Sequence, residues 1–456
     1  MSIIKPIRPD IIARFEGQRA PRYTSYPTAP HFTHVFDDLG YQTLLTGLPP
    51  DGKLSLYLHV PFCQTMCWYC GCHTRIVASY SPIEAYLQSL EGEIRMVAAA
   101  LPQRMTVNHI HWGGGTPTIM APNAFRNLMN VLRDCFELAS DAEIAVEIDP
   151  RRVTDEMIKT LGQSGVTRAS LGVQSFDPTV QKAINRIQTY EQTSRTTDRL
   201  RGMGIEAVNF DLIYGLPYQT VASCEDTVAK ALQLGPDQLS VFGYAHVPWM
   251  KKHQRMIEAP SLPNPRERLA QFAAISDRLA DAQYRRIGLD HFAKPADRLV
   301  RCLDAGTLHR NFQGYTSDQC ANLIGFGASA VGTLPEAYVQ NTTQVGEYRR
   351  RIDAGQFAVQ RGRRLTAEDR LRRDVIERIM CDFRVDLRSV TARYGLRQDH
   401  FKNELSCLLT LALDGIVHVE DGLVTLDEAY WPLARTVAAI FDAFLEPDEQ
   451  RHAAAV

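Results

Sequence analysis

The sequence predicts an α/β fold: a partial, TIM-like β/α barrel with an N-terminal arm before it and a mainly helical, winged-helix-like domain after it. Seven apolar runs, at 54–60, 108–112, 142–148, 168–173, 205–213, 238–244 and 285–289, alternate with amphipathic stretches such as 83–99 and 124–136, which is the strand-helix repetition of a parallel sheet. Each run is followed by polar residues or glycines, in order Cys63; Gly113-Gly114-Gly115-Thr116; Glu147 and Asp149; Gln174; Asp211; His246; and Asp290-His291. A barrel builds its site from the C-terminal ends of several strands, whereas a doubly wound sheet concentrates chemistry at one switch point, so this succession favours the barrel.

The arm occupies residues 1–50. Its segment Pro21-Arg22-Tyr23-Thr24-Ser25-Tyr26-Pro27-Thr28 is too polar and proline-broken to read as a core element, and a surface linker and a functional lid fit it equally. The first ten residues carry prolines and charges where a signal peptide needs a continuous apolar core, and no stretch reaches the roughly 20 apolar residues that span a bilayer, so a cytoplasmic protein is expected. A net charge of −2 gives no global reason to expect nucleic acid or an anionic membrane as partner.

The barrel domain is expected over 51–365. Directly after its first strand, four of the ten cysteines fall between positions 63 and 72. Cys63, Cys67 and Cys70 have the spacing C-x3-C-x2-C, which lets one loop place three thiolates on three corners of a cubane [4Fe-4S] cluster and leaves the fourth iron for the amine and carboxylate of a small molecule. Structural zinc usually pairs two distant knuckles, and no second knuckle follows. A disulfide framework does not suit a 456-residue chain without a secretory signal. Cys72 is surplus to the three-ligand scheme: a spare structural thiol, a fourth metal ligand and a participant in substrate chemistry all fit its position.

The glycines of Gly113-Gly114-Gly115-Thr116-Pro117 let a ligand's ammonium or carboxylate approach the backbone, and Thr116 adds a hydroxyl. A phosphate loop would need a following Lys-Ser or Lys-Thr. Glu147, Gln174 and Asp211 suit ribose hydroxyls and an amino-acid moiety, with rim-fixing hydrogen bonds an equal reading for each. Arg186, isolated beyond the fourth strand, reads as surface charge. The glycine-rich run at 323–330 is either tight helix packing or ligand-facing backbone.

Nine arginines, at 349, 350, 351, 361, 363, 364, 370, 372 and 373, mark the approach to the last domain, 366–456. A solvated connector is the better reading of them than a dock for an acidic electron-transfer protein or a multi-carboxylate substrate. Helical patterns at 367–382, 387–394 and 399–413, a hairpin turning at Asp421-Gly422 and a last helix at 431–445 compose the winged-helix-like module. Its third helix carries Asp399 and Glu404 and lacks the basic face that DNA binding needs.

The stretches 21–28, 59–72, 111–118, 147–150, 172–174, 211–217, 244–246 and 309–315 together resemble the oxygen-independent coproporphyrinogen III oxidases, a family of radical S-adenosylmethionine (SAM) enzymes, over nearly the whole chain. The resemblance implies a barrel of the radical SAM type whose arm and C-terminal domain help to close the site. It also implies a [4Fe-4S] cluster and two SAM molecules, with Tyr57, Gly114, Glu147 and Val331 on the cluster-bound SAM and Tyr69, Gly115, Thr116, Gln174, Arg186, Asp211 and Ala245 on the second. The implied reaction converts two propionates of coproporphyrinogen III to vinyls through a 5′-deoxyadenosyl radical, giving protoporphyrinogen IX in haem biosynthesis. A low-potential donor such as a flavodoxin or ferredoxin and a monomeric state are expected with it. Trp68 and His73 depart from the commonest pattern without removing a cluster ligand. The rival, a haem-binding chaperone on the same scaffold, usually has an aromatic residue at the place of Cys72 and lacks the 21–27 arm, so both features favour the enzyme and assign Cys72 to substrate chemistry.

Overall fold

The computed structural model describes residues 8–15, 20–34, 36–397 and 399–445. Six strands open six β/α units: β1 (Leu54–Val60), β2 (Thr106–Gly114), β3 (Glu137–Ile148), β4 (Arg168–Gln174), β5 (Ala207–Tyr214) and β6 (Gln238–Gly243). They are followed respectively by α1 (Ser81–Ala100), α2 (Pro122–Cys135), α3 (Asp155–Gln163), α4 (Tyr190–Gly202), α5 (Val221–Gln233) and α6 (Pro265–Asp281). Each helix carries the chain back, so successive strands lie side by side and parallel. Capping boxes at Thr189, Thr220 and Asn264 fix where α4, α5 and α6 begin.

Six more strands complete the sheet: β7 (Arg285–Ile287), β8 (His291–Ala293), β9 (Asn322–Phe326), β10 (Val331–Leu334), β11 (Ala337–Asn341) and β12 (Val359–Arg364). The order is β12-β11-β10-β9-β1-β2-β3-β4-β5-β6-β8-β7, and no ladder among the described residues joins its ends, so the barrel is partial. The seventh apolar run does not supply a seventh parallel strand. It turns at Gly288, whose φ of +55° suits glycine and whose Cα faces the Tyr315 ring too closely for a side chain, and returns as an antiparallel β7/β8 hairpin at the sheet edge. The seventh parallel strand is β9, built from the glycine-rich run and paired with β1.

Strand alternation divides the two faces. Ile110, Trp112, Val146, Leu171 and Phe210 join the core under the helices. His109 and His111, Glu143 and Glu147, Arg168 and Ser170, Asn209 and Asp211, and Ser240 line an interior cavity of about 300 Å³.

The last domain follows its expected course: α7 (Ala367–Asp382), β13 (Arg384–Asp386), α8 (Leu387–Arg393), α9 (Lys402–Leu413) and the hairpin β14 (Val417–Glu420) and β15 (Leu423–Leu426), with β13 beside β15. The final helix is shorter than its pattern suggests, because Pro432 sits in a 3₁₀ turn over Glu428–Leu433 and only Ala434–Ala439 is α-helical (α10).

The arm is not excluded from the core. Tyr23 and Tyr26, 4% and 1% exposed, join Ile11 and Phe15 in one apolar cluster with Leu371, Val375 and Phe441 of the C-terminal domain, and Thr33 bridges Gly362 of β12. Aromatic rings give this polar-looking segment enough apolar surface to bury once their hydroxyls are bonded, as Tyr23 is to Asp442 at 3.0 Å. Among the described residues no helix is long and apolar enough to cross a membrane.

Candidate active site

The cysteine loop leaves β1 and is held on both sides. On one, Trp68 donates its amide to the Ile184 carbonyl (3.0 Å) and the Asn185 side chain donates to Met66 O (2.8 Å). On the other, Lys251 Nζ, His253 Nε2 and Gln254 Nε2 reach the carbonyls of Cys72, Cys70 and Tyr69 at 3.1, 2.7 and 3.1 Å. Gln254 also donates to Ala245 O (3.2 Å), so Tyr69 and Ala245 share one clamp. The Tyr69 ring packs against a cluster containing Ile184 and Tyr244.

The three thiols are met by hydrogen-bond donors. Thr116 Oγ1 is 3.3 Å from Cys63 Sγ, Arg186 Nη1 and Arg151 Nη2 are 3.7 and 3.6 Å from Cys67 Sγ, and the Cys72 amide donates to Cys70 Sγ at 3.4 Å. The hydrogen bond of the Cys72 thiol, joined by the Cys72 amide and Thr74 against the effect of burial, brings the Cys70 thiol down to about 6, while burial pushes Cys63 up to about 11. Donors and guanidinium charge directed at sulfur are what a thiolate-held iron-sulfur cluster requires around it. Among the described residues no three His, Cys, Asp or Glu side chains converge tightly enough for a single ion.

Arg186 corrects the surface reading. It is 6% exposed and donates to Gly172 O (2.7 Å) and Gln188 Oε1 (3.0 Å), and it reaches Asp149 Oδ1 at 3.4 Å. Burial would lower its basicity, but Tyr69, Asp149 and Cys67 outweigh that and raise it. Arg151 grips Asp149 through Nε and Nη2, so two arginines and one carboxylate brace Cys67. Sequence reading missed Arg151 and the clamp at 251–254; the only available signal was the alternation of Glu147, Asp149 and Arg151 across a strand end.

A second grouping forms around Glu147. Its carboxylate accepts from the Gly114 amide (3.1 Å) and meets His111 Nε2 (3.2 Å). Tyr57 OH lies 2.9 Å from His59 Nδ1, and His59 Nε2 lies 3.0 Å from the His73 carbonyl. A carbonyl only accepts, so Nε2 carries the proton and Nδ1 accepts from Tyr57. Val331 stands apart: its side chain packs toward Phe32 and Tyr338, and only its backbone approaches Gly325, the residue in register with Tyr57.

Asp211 faces the cavity and accepts from Ser170 Oγ (3.0 Å) and Asn209 Nδ2 (2.8 Å). Burial, then the charge of Glu147, pushes its carboxyl up to about 6. Gln174 is buried at the end of β4 with φ +68°, its amide beside Arg186 at Gly172. Cys72 lines the same cavity as Glu147 and Asp211, together with Asn311, Gln313 and Tyr315 of the hairpin after β8.

The radical SAM superfamily pattern matches residues 57–231, which span β1 to α5 and hold the groupings above apart from the 245–254 clamp, Val331 and the 311–315 side of the cavity. The chain is 53% identical to the oxygen-independent coproporphyrinogen III oxidase of Bradyrhizobium diazoefficiens, covering 99% of this chain and all of that one. It is 39% identical to the oxidase of the same description from Salmonella typhimurium, covering 93% of each. This chain belongs to the oxygen-independent coproporphyrinogen III oxidase family. The solved coproporphyrinogen III oxidase of Escherichia coli, described as a radical SAM enzyme, superposes with a TM-score of 0.89 at 36% identity, over 94% of this chain and 100% of that one. The partial barrel and its helical C-terminal region are therefore the architecture of the family, and the chain is a radical SAM oxidoreductase, a class that uses a [4Fe-4S] cluster and SAM.

Proposed function

We propose that this chain converts two propionate side chains of coproporphyrinogen III to vinyl groups without oxygen, giving protoporphyrinogen IX in haem biosynthesis. One observation carries the reading: the three-thiol loop ends at Cys72 on the wall of the barrel cavity, in a chain alike from end to end to the oxidases of this description. When bound, the cluster and SAM would supply a 5′-deoxyadenosyl radical able to take hydrogen from a propionate carbon, chemistry that side-chain acids and bases do not reach.

The chain's own residues bind and orient. Cys63, Cys67 and Cys70 hold the cluster. Tyr57, Gly114, Glu147 and Val331 are assigned to one SAM, with Gly114 and Glu147 already joined by a hydrogen bond. Tyr69, Gly115, Thr116, Gln174, Arg186, Asp211 and Ala245 are assigned to a second. Asp211, half-buried on the cavity wall, takes a hydroxyl or ammonium partner better than a second anion. Cys72, exposed toward the cavity, is the thiol placed to touch substrate. A flavodoxin or ferredoxin as electron donor, a monomeric state and a cytoplasmic location complete the reading.

The test is an anaerobic assay of the reconstituted protein with SAM, a reductant and coproporphyrinogen III. Protoporphyrinogen IX with two carbon dioxide released per substrate is expected. Stoichiometric haem binding with no turnover would replace this reading with the chaperone.

A further inference from the structure

Beside the cavity wall formed by Tyr315 and His291, the Asp290 carboxylate is met by Arg310 and lies within the electrostatic reach of Arg22 and Arg286. Arg310 stacks 4.5 Å from the Tyr315 ring centroid with its side chain 7% exposed; its Nη1 is 4.0 Å from Asp290 Oδ1, and both Nη1 and Nε are buried with no hydrogen-bond partner. Arg286 donates to Gly288 O and Leu289 O at 3.1 and 3.0 Å, and its Nη1 is likewise buried and unpartnered. Arg22 comes from the arm, donates to Gly243 O at the C-terminal end of β6 (3.3 Å) and remains exposed. Asp290 is already bonded to His291 Nδ1 at 2.8 Å. Arg268 and Arg435 flank the group on the carbonyls of Tyr244 and Ala20.

Positive charge is in excess here. Burial, and then the neighbouring charges of Arg22 and Arg310, lowers Arg435, and Arg286 is brought down to about 10 by burial although Tyr315, Asp290 and, more weakly, Glu428 oppose it. Buried guanidinium nitrogens without acceptors are costly unless an anion arrives to take them, and the planar fork of arginine matches a carboxylate. Tyr315, on which Arg310 stacks, and His291, which is bonded to Asp290, line the cavity that Cys72 and Asp211 also line, so a ligand filling that cavity would bring its anionic groups to these arginines.

Resting on the reading above, we propose that Arg22, Arg286 and Arg310 form a carboxylate-binding subsite that holds propionate side chains of the porphyrinogen. The propionates held are those that do not react. A guanidinium stabilises a carboxylate over neutral carbon dioxide, so the same grip on a reacting group would oppose its loss. The subsite thereby leaves the remaining propionates free to face Cys72 and the cysteine loop.

The experiment measures binding of coproporphyrin III, the air-stable aromatic form with the same four propionates, by fluorescence quenching on the purified full chain. Arg22→Gln and Arg310→Gln should each weaken binding tenfold or more, Arg310→Lys should recover part of the loss, and Arg350→Gln, a surface arginine 69% exposed, should change nothing. The tetramethyl ester should bind wild type and variants alike. Arg22 is exposed, so Arg22→Gln decides the matter if Arg310→Gln does not fold. Undiminished coproporphyrin binding by folded Arg22→Gln and Arg310→Gln overturns the subsite, even in a chain whose wild type forms protoporphyrinogen IX. Arginine-dependent binding in a wild type that forms no product keeps the subsite and removes the oxidase reading instead.

Discussion

At the scale of the residue, Cys63, Cys67 and Cys70 could be grouped from the sequence because thiols offered by one loop must be close in sequence, and the structure carries them on one loop after β1. Replacing Cys63, Cys67 or Cys70 by Ser should abolish the iron-sulfur absorption and SAM cleavage together, whereas Cys72→Ser should keep the cluster, bind SAM and form little protoporphyrinogen IX. Iron content and product, measured on the same preparation, separate the two classes. Alanine at Glu147, Gln174 or Asp211 should weaken SAM binding by about 1–3 kcal/mol each, the cost of a buried partner left unsatisfied, with iron per chain unchanged. Unaltered titration calorimetry in all three would move that site elsewhere. Arg186 was not legible: nothing in its neighbours Asn185 and Ile187 announces a buried position, and only the fold reveals the contacts with Gly172, Asp149 and Cys67 that explain it. The roles of Arg22, Arg286 and Arg310 were equally unannounced, while the conspicuous arginines near 350 and 370 are engaged by carboxylates, Arg350 and Arg351 with Glu347 within one helix and Arg372 with Glu368 and, across to α9, Glu404.

At the scale of the element, the apolar runs located β1, β4 and β6 to within a residue and β2 and β5 to within two, missed the first five residues of β3, where 137–141 are largely polar, and could not see direction. The run at 285–289 has strand composition, yet the turn at Gly288 reverses it, and the parallel place next to β1 goes to β9, whose glycines masked it as a packing motif. Two glycines test how tightly the elements bear on the cysteine loop. A Cβ at Gly115 would lie 2.5 Å from Phe62 O and 2.8 Å from Phe62 C, backbone that cannot swing away, so Gly115→Ala should cost about 1–3 kcal/mol and lower iron retention. Gly71 has nothing within 4 Å, and Gly71→Ala should fall within about 0.5 kcal/mol of wild type in chemical denaturation. The loop after β9 is tied to α1 through Glu93, which accepts from the Gly327 amide (2.6 Å), Asn341 Nδ2 (2.6 Å) and Tyr348 OH (2.7 Å). Burial raises the Glu93 carboxyl from 4.5 to about 7 despite these donors. The folded chain therefore binds this proton more strongly than the unfolded one, and the stability it contributes is fully present below about 4.5 and is lost as pH rises through about 7. Thermal melts of Glu93→Gln and wild type should diverge across that window, with the wild type falling faster; parallel curves would assign the slope to another group.

At the scale of the whole molecule, the arm joins the barrel to the C-terminal domain. Phe32 stacks on Tyr338 of β11 at 5.5 Å, Arg22 reaches Gly243 at the end of β6, and Tyr23 and Tyr26 are buried among α7 and the last helical segment. Composition could not reveal this, because prolines and hydroxyls make the segment look solvated while its rings supply the burial. The consequence is a test of where the arm's energy acts. Tyr26 is 1% exposed and its hydroxyl accepts the Ala443 amide at 2.9 Å, so Tyr26→Phe should cost about 1 kcal/mol by leaving that amide unbonded, and Tyr26→Ala about 3–5 kcal/mol by opening a cavity as well. Because the ring belongs to the apolar cluster of the C-terminal domain, the loss should be local. In native-state hydrogen exchange the amides of α7 should lose protection in Tyr26→Ala while those of β2 keep theirs. The same variant should weaken coproporphyrin III binding, since Arg22 is carried on the loosened segment, without lowering iron per chain. Equal loss of protection in α7 and β2 would show instead that barrel, arm and C-terminal domain unfold as one cooperative unit, and the arm would then be a structural strand of the whole fold with no separate hold on the substrate.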